Sequence, residues 1–434
     1  VMDVAVIAGI IMIISVVVML VMGVPIGISI GMSSALAMIT ILPFGPGIVT
    51  CAQKMFTGVN SFSLLAIPFF ILAGNIMNNG GIAIRLVNCA RLISGRLPGS
   101  LAQTNIVANM LFGAISGTAA AAAIGGTMAP IELEEGYDKD YVAAVNIASA
   151  PTGQLIPPSN TLIVYATVAG SVSVAALFMA GYIPGIAWGI SLMFIAGYMA
   201  KKRGYVSTFS VTPKEALKVL WDALPSLLLI IIVIGGILKG VFTATEGSAI
   251  AVVYALILSL CYRSLKIKDL PSIILSSCKT TCIVIFMIGV SSIMSWVMAY
   301  TMIPTAIANA MLSLSSNKYV ILLLMNVILL VVGTFMDPTP AVLIFTPIFL
   351  PICQSFGMDP VQFGIMIVFN LCIGTITPPV GVILFTGCKV VGISIEGVIK
   401  TLLPFFAAIA VVLLLVTYVP AMSMWIPSML GLVK

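Results

Sequence analysis

The sequence predicts an all-α integral membrane protein built from two copies of one unit. Hydrophobic residues make up 61% of the 434 positions and charged residues 7%, with a mean hydropathy of +1.24, whereas soluble proteins have roughly 25% charged residues. Two motifs, G-Q-L-I-P-P at 153–158 and G-T-I-T-P-P at 374–379, each interrupt a long apolar segment. A double proline stops a continuous helix, so each motif predicts a broken helix.

The two motifs belong to a longer internal duplication. Gly153 and Gly374 lie 221 positions apart. The same shift pairs Pro130-Ile131 with Pro351-Ile352 and Gly136-Tyr137-Asp138 with Gly357-Met358-Asp359. Interrupted apolar segments at matching positions in two halves are typical of the binding site of a secondary transporter. The predicted fold is therefore an internal inverted repeat with two re-entrant hairpins and two broken helices.

Apolar stretches of about 20 residues are long enough to cross a membrane. Such stretches lie near 4–22, 24–42, 60–77, 172–200, 224–242, 246–262, 281–300, 318–335 and 401–420. With the broken segments added, we expect roughly ten to twelve crossings. We predict one integral membrane domain, 1–434, because no polar stretch is long enough for a soluble module. Its parts are scaffold helices and arm (1–98), first transport core (99–185), linker helix and second scaffold (186–320), second transport core (321–400) and C-terminal helix (401–434).

Basic residues predict the orientation of the chain. Much of the net charge of +6 lies in two clusters, Lys201-Lys202-Arg203 and the group of Arg263, Lys266 and Lys268. Positive loops stay in the cytoplasm, and the two apolar stretches between the clusters fit one trip out and back. Residues 201–222 are too polar to span and are predicted as an interfacial helix; 82–98 is predicted as a similar horizontal arm.

Each half also predicts a hairpin before its broken helix. The first, within 109–131, contains S-G-T at 116–118, five alanines and two glycines, which permit close backbone approach. The second contains G-T-F-M-D-P-T-P at 333–340, where two prolines and a carboxylate interrupt the apolar run. A tip that turns back inside the membrane fits this pattern better than a plain span.

The breaks and tips predict a site for an anion and a cation together. Thr377 is predicted as the N-cap and Pro378 as the first residue of a new half-helix. Half-helix N-termini suit a carboxylate, and the carbonyl groups freed at the break suit a hard cation such as sodium. Neutral side-chain oxygens for sodium come from Ser116, Thr118, Ser159, Asn160, Thr334, Thr375 and Thr377.

The acidic residues leave alternatives open. Asp337 either belongs to the site or faces water beside Pro338, and Glu246 at a turn is most simply a surface or helix-capping carboxylate. The cluster of Glu132, Glu134, Glu135, Asp138 and Asp140 is predicted as a solvated loop, with partner docking as the alternative. The chain has no histidine, and its eight cysteines are scattered, which gives at most a weak metal signal.

Several stretches together resemble the large membrane subunit of tripartite ATP-independent periplasmic (TRAP) transporters. They are S-L-L-A-I-P-F-F-I-L-A-G at 63–74, I-P-P-S at 156–159, F-T-A-T-E at 242–246, G-M-D-P at 357–360 with F-G-I-M at 363–366, and G-T-I-T-P-P-V-G at 374–381. The resemblance implies an elevator-type, sodium-driven importer of dicarboxylates, sialic acid or other sugar acids in the bacterial inner membrane, not an enzyme. It also implies a small four-helix membrane subunit, separate or fused, and a periplasmic substrate-binding protein.

The resemblance further implies site residues at the hairpin tips and breaks. Substrate would be bound by Ser116, Thr118, Pro157, Ser159, Asn160, Thr334 and Pro378. Sodium would be bound by Ser116, Gly117, Gly153, Pro157, Gly333, Thr334, Asp337, Gly374, Thr375, Thr377 and Pro379. Two departures from the family pattern are Ala244 in place of a proline and an alanine run after Thr118 that lacks a serine or aspartate. The alternatives are a carrier that needs no binding protein and a channel for small anions.

Overall fold

The computed structural model describes residues 2–116, 120–170, 172–205, 211–314, 317–379 and 381–433, and within these ranges the secondary structure is helical without strands. The helices are α1 (Met2–Val21), α2 (Ile26–Ile41), α3 (Phe44–Val59), α4 (Ala66–Asn79), α5 (Ile82–Ser94), α6 (Ser100–Ser116), α7 (Ala120–Glu134), α8 (Lys139–Ser149), α9 (Asn160–Ala169), α10 (Val174–Arg203), α11 (Pro213–Leu238), α12 (Ala244–Cys261), α13 (Leu270–Tyr300), α14 (Ile303–Leu314), α15 (Lys318–Gly333), α16 (Pro338–Ser355), α17 (Pro360–Gly374), α18 (Val382–Val391), α19 (Ile395–Tyr418) and α20 (Ala421–Met429).

Seven helical stretches of the described chain are long and apolar enough to cross a membrane: Phe62–Asn79, Val174–Arg203, Pro213–Leu238, Ala244–Cys261, Ile267–Tyr300, Pro338–Ser355 and Ile395–Tyr418. The predicted spans near 4–22, 24–42 and 318–335 are also helices, but they fall among the shorter apolar ones. Large apolar side chains are exposed on the outer surface, including Val21, Phe194 and Trp221. Such a surface is suited to lipid, and the chain is a multi-pass membrane protein.

The duplication in the sequence reappears as a repeated order of helices. α6 to α10 match α15 to α19, and the starts of α8 and α17, and of α10 and α19, differ by the same 221 positions. Buried polar side chains join the first and third helices of each unit as well, although through different residue pairs. Asn109 Nδ2 donates to Ser149 Oγ (2.9 Å) between α6 and α8, and Asn370 Nδ2 donates to Asn326 Oδ1 (2.9 Å) between α17 and α15.

Residues 201–222 do not form the separate interfacial helix that their polarity predicts. They contain the end of α10, a stretch that includes undescribed residues 206–210, and the first turns of α11. Thr212 and Glu215 form a capping box that starts α11, and α11 then continues through Pro225 to Leu238. The prediction is wrong because the capped polar turns run directly into apolar sequence. The arm at 82–98 contains a helix of its own, α5.

A polar cluster joins α8, α10 and α19. The Arg203 guanidinium lies 2.9 Å from an Asp138 oxygen and 2.6 Å from an Asp140 oxygen, and the Thr401 hydroxyl donates to the same Asp140 carboxylate. The acidic cluster is thus not simply a solvated loop. Asp138 is exposed, but Asp140 is tied to two other helices, and Glu132 is fully buried.

Removing the Asp140 charge is expected to destabilise this cluster. The hydrogen bond with Arg203 lowers the pKa of Asp140 to about 2, so its stabilising effect is present above its ordinary value of 3.8 and is lost as the pH falls toward about 2. We expect Asp140→Asn to lower the free energy of unfolding at neutral pH by on the order of 2 kcal/mol. Thermal unfolding in detergent measures this, with exposed Glu134→Gln as the control; equal midpoints for the two variants would contradict it.

Candidate functional site

Both long segments are interrupted where the double prolines predict it. α8 ends at Ser149 and is followed by a 3-10 turn, Ala150–Gln154, and irregular backbone before α9 begins at Asn160. α17 ends at Gly374 and α18 begins at Val382. Both Pro-Pro peptide bonds are cis. Ser159 caps α9, since its Oγ accepts from Leu162 N at 3.4 Å.

The predicted cap of the second half-helix is wrong. Thr377 Oγ1 donates to Ile373 O at 2.7 Å, and Pro378 lies in irregular backbone ahead of the helix. The N-cap of α18 is Gly381, whose φ of +49° suits a residue without a Cβ. The helix starts late because Thr375 O accepts from Ile383 N (3.0 Å) and so closes the loop between them.

The tip of the second hairpin lies against the second break. Gly333 and Gly374 are packed backbone to backbone, and a Cβ placed on Gly333 would lie 3.1 Å from Gly374 Cα. Gly381 N also donates to Thr334 O at 3.1 Å. Asp337 is exposed and caps α16 by accepting from Thr339 N at 3.1 Å. The structure therefore brings three of the predicted site residues, Gly333, Thr334 and Gly374, into one place.

The two breaks are also neighbours. Cys372 Sγ donates to Gln154 Oε1 at 3.1 Å, so the end of α17 contacts the turn that interrupts the first segment. The first hairpin packs on the same turn, through α6. Of its predicted site residues, Gly117 and Thr118 lie outside the described residues, and the side chain of Ser116 is not described. The site thus combines both copies of the duplicated unit.

The predicted site residues differ in burial. Gly153, Pro157, Ser159, Gly333, Thr334, Gly374 and Thr375 are buried; Asn160, Thr377 and Pro378 are half-buried; Asp337 and Pro379 are exposed. The hydroxyls of Thr334, Thr375 and Thr377 each donate to a backbone carbonyl at 2.7 Å. Each hydroxyl oxygen keeps lone pairs that can coordinate a cation. Among the described residues, no group of three or more cysteine, aspartate or glutamate side chains could hold a metal ion.

The sequence matches a family model over residues 13–422, described as "Tripartite ATP-independent periplasmic transporter, DctM component". The chain belongs to this family. The permease is 54% identical over 399 residues to the uncharacterized protein YgiK of Salmonella typhimurium, and the match covers 92% of each chain. It is 41% identical to the isethionate TRAP transporter permease protein DctMQ of Oleidesulfovibrio alaskensis, over 90% of this chain and 62% of the relative. It is 37% identical to the sialic acid large permease SiaM of Vibrio cholerae, over 91% and 93%.

Solved structures share the fold of the permease. The YdaH transporter of Alcanivorax borkumensis matches with a TM-score of 0.61 at 14% identity, over 86% of this chain and 88% of that one. MtrF of Neisseria gonorrhoeae matches with a TM-score of 0.55 at 14% identity, over 88% and 85%. The predicted class of an all-α integral membrane protein is confirmed, and family membership places the chain with transporter permeases rather than enzymes.

A hydroxyl-rich cavity of about 400 Å³ lies between α3 and α13 on one side and α9 and α16 on the other. Its hydroxyl-bearing lining residues are Thr57, Ser61, Thr167, Ser291, Ser292 and Ser295. Ser291 Oγ is buried without a hydrogen-bond partner. A cavity of this size can hold a small organic molecule.

Sequence reasoning missed the residues that join the two halves of the permease. The Gln154–Cys372 contact has no signal in either motif alone. The polar contacts between the first and third helices of each unit had a partial signal, because the shift of 221 positions pairs Asn105 with Asn326 and Ser149 with Asn370. In the first unit, however, Asn109 bridges Asn105 and Ser149, and its counterpart is Leu330. Polar residues at equivalent positions of apolar helices are expected to have partners, since an unpaired polar group is costly in a membrane.

Proposed function

We propose that this permease is a sodium-coupled secondary active importer of small organic anions in the bacterial inner membrane. One observation carries the proposal: two interrupted helices from the two copies meet at a single place, together with the turn of the second hairpin. Irregular backbone at membrane depth is tolerated where it lines a binding site. The substrate and sodium residues named from the family resemblance are part of this proposal.

The chemistry of the region where the two breaks and the second hairpin meet supports an anion and a sodium ion as the two ligands. α9 and α18 begin at the breaks, and their free N–H groups and positive dipole ends favour a carboxylate or sulfonate. The hydroxyl oxygens of Thr334, Thr375 and Thr377 offer neutral ligands to a hard cation. A neutral oxygen set binds sodium without holding it too tightly for release during a transport cycle.

Contacts along α19 support an inverted relation between the two copies. Thr401, near its start, contacts Asp140 in the first turn of α8, whereas Thr417 O, near its end, accepts from Gln362 at the start of α17 (3.2 Å). Thr401 and Thr417 are separated by about 24 Å of helix. α8 and α17 therefore begin at opposite ends of α19, as inverted repeats require.

The same contacts support an orientation and an elevator mechanism. The basic residues around Arg203 support a cytoplasmic position for the start of α8, and the start of α17 would then face the periplasm. Tyr165 Oη, in the second half of α9, donates to Pro360 O (2.5 Å), which supports a position of the hydroxyl-rich cavity toward the periplasmic face. That cavity separates scaffold helices α3 and α13 from α9 and α16, the boundary along which a transport core would slide.

The relatives support the substrate class. Their names specify isethionate, sialic acid and C4-dicarboxylates, all small organic anions. Because the family is tripartite by description, we propose a small four-helix membrane subunit and a periplasmic binding protein as partners. The binding protein would select the anion and deliver it from the periplasmic side.

Uptake into proteoliposomes tests the proposal. The permease with its small subunit is reconstituted, and radiolabelled isethionate, sialic acid and succinate are supplied with the cognate binding protein, with and without an inward sodium gradient. We expect accumulation of one class of anion only when both the gradient and the binding protein are present.

Two results would contradict the proposal in different ways. Accumulation without the binding protein would make the permease a self-sufficient carrier. Flux that equilibrates the anion but ignores the sodium gradient would indicate a channel. Potassium in place of sodium is the matched control, because it keeps the ionic strength and the osmotic balance unchanged.

A further inference from the structure

Glu132 is a fully buried carboxyl group near the end of α7. Its Oε1 accepts from Asn105 Nδ2 at 3.4 Å, and its Oε2 has no hydrogen-bond partner. A buried carboxylate without a countercharge is costly, so such a group is neutralised by a cation or a proton. The site proposed above does not use this residue, which lies some 12 positions beyond the start of α7, about 18 Å along the helix.

No described basic side chain neutralises Glu132. Arg203 forms its salt bridges with Asp138 and Asp140. The titratable groups within electrostatic reach of Glu132 are Tyr137 and Tyr141. Among the charged side chains on the helices packed around α7, Arg85 stacks on Tyr262, Lys139 and Lys389 are exposed, and Arg91 lines a cavity whose lining does not include Glu132; α6 carries none.

The second copy shows that the shared architecture does not need an acid at this position. The shift of 221 positions pairs Glu132 with Cys353, which is also fully buried and whose thiol contacts Met325 Sδ at 3.7 Å. The amide next to Glu132, Asn105, has its counterpart in Asn326. Because α16 packs around a neutral residue where α7 has Glu132, the carboxyl group adds a property that folding of the unit does not require.

The polar cavity that Arg91 lines, of about 160 Å³, lies beside the turn that follows Glu132. Arg91, Ser100, Glu135, Tyr137 and Tyr205 line it. Tyr137 links the cavity to the backbone at Glu132, since its N–H donates to the main-chain carbonyl oxygen of Glu132 at 3.0 Å. The cavity lies at the end of the protein that holds the Arg203 cluster, which the basic residues assign to the cytoplasm.

We propose that Glu132 is a proton-binding site that exchanges one proton with the cytoplasm through this cavity. The bound proton neutralises the carboxylate and remains on Oε2, the oxygen without a partner. Release returns the proton to water in the cavity and leaves the carboxylate with its contact to Asn105. A proton fits this place because it needs no space in a closely packed region.

Infrared spectroscopy of the reconstituted permease tests the site without any transport. Difference spectra are recorded between about pH 5 and about pH 9, a range that covers buried glutamates. We expect the wild type and the exposed-residue control Glu134→Gln to show one protonated-carboxyl band that disappears as the pH rises. Glu132→Gln should lack the band, and so should Glu132→Cys, a second variant that introduces the residue found at the equivalent position of the other copy.

Three outcomes would overturn the proposal. The band persists in both Glu132 variants, or it is absent from the wild type, or it does not change over the whole pH range, which would make the proton a permanent part of the structure. A band that responds to sodium at constant pH would assign the carboxyl group to a metal ion instead. These results do not depend on the proposed import function, which can fail while the proton site stands.

Discussion

Replacing Gly374 with alanine is expected to abolish uptake and to destabilise the permease. A Cβ at this position would lie 2.5 Å from Gly333 Cα and 2.7 Å from Gly333 O. These are backbone atoms, so no rotamer change relieves the overlap, and the second hairpin must separate from the second break. We expect a loss of stability on the order of 3 kcal/mol, as for other overpacked cores.

Thermal unfolding in detergent and uptake in proteoliposomes measure the two effects of Gly374→Ala. Gly235→Ala in α11 is the matched control, because a Cβ there meets no atom within 4 Å, and the same substitution within a helix is neutral or favourable. A Gly374→Ala variant that unfolds at the wild-type temperature and keeps its uptake would show that the close contact of Gly333 and Gly374 is not required.

Replacing Thr377 with valine is expected to weaken activation by sodium. The substitution keeps the shape of the side chain but removes an oxygen proposed as a sodium ligand. We expect the sodium concentration for half-maximal uptake to rise roughly tenfold, the effect of losing about 1.4 kcal/mol of binding. Asp337→Asn is expected to act in the same direction, while its amide oxygen still caps α16.

Thr386→Val is the matched control for Thr377→Val. Both hydroxyls donate to a backbone carbonyl four residues earlier, at 2.7 Å for Thr377 and 2.9 Å for Thr386, but Thr386 lies on the exposed side of α18. The sodium dependence of uptake should change in Thr377→Val and stay at the wild-type value in the control. Wild-type sodium activation in both Thr377→Val and Asp337→Asn would remove these residues from the proposed site.

The breaks could be predicted because proline acts locally. A double proline removes backbone donors wherever it occurs, so the interruptions near Pro157 and Pro378 follow from the sequence without knowledge of the fold. The start of α18 could not be predicted in the same way. It depends on bonds from Ile383 and Leu384 N–H to Thr375 O, which form only once the loop has closed.

Burial of single polar residues was the least predictable feature. Glu132 stands in a run of acids that predicts a solvated loop, yet it is buried while its neighbours Glu134 and Glu135 are exposed. α7 continues past Glu132, so this side chain is directed toward Asn105. The density of charged residues in the sequence does not indicate in which direction each side chain points. The contact between Gln154 and Cys372 is similar, because it joins residues far apart in sequence and depends on how the two copies pack.

Obligatory coupling of sodium to the organic anion requires that a gradient of the anion can drive sodium movement. Proteoliposomes with equal sodium on both sides receive an inward gradient of the transported anion together with its binding protein, and radiolabelled sodium is followed. We expect sodium to accumulate inside against its own gradient, and we expect Thr377→Val to reduce this accumulation. Anion entry without any net movement of sodium would contradict this coupling.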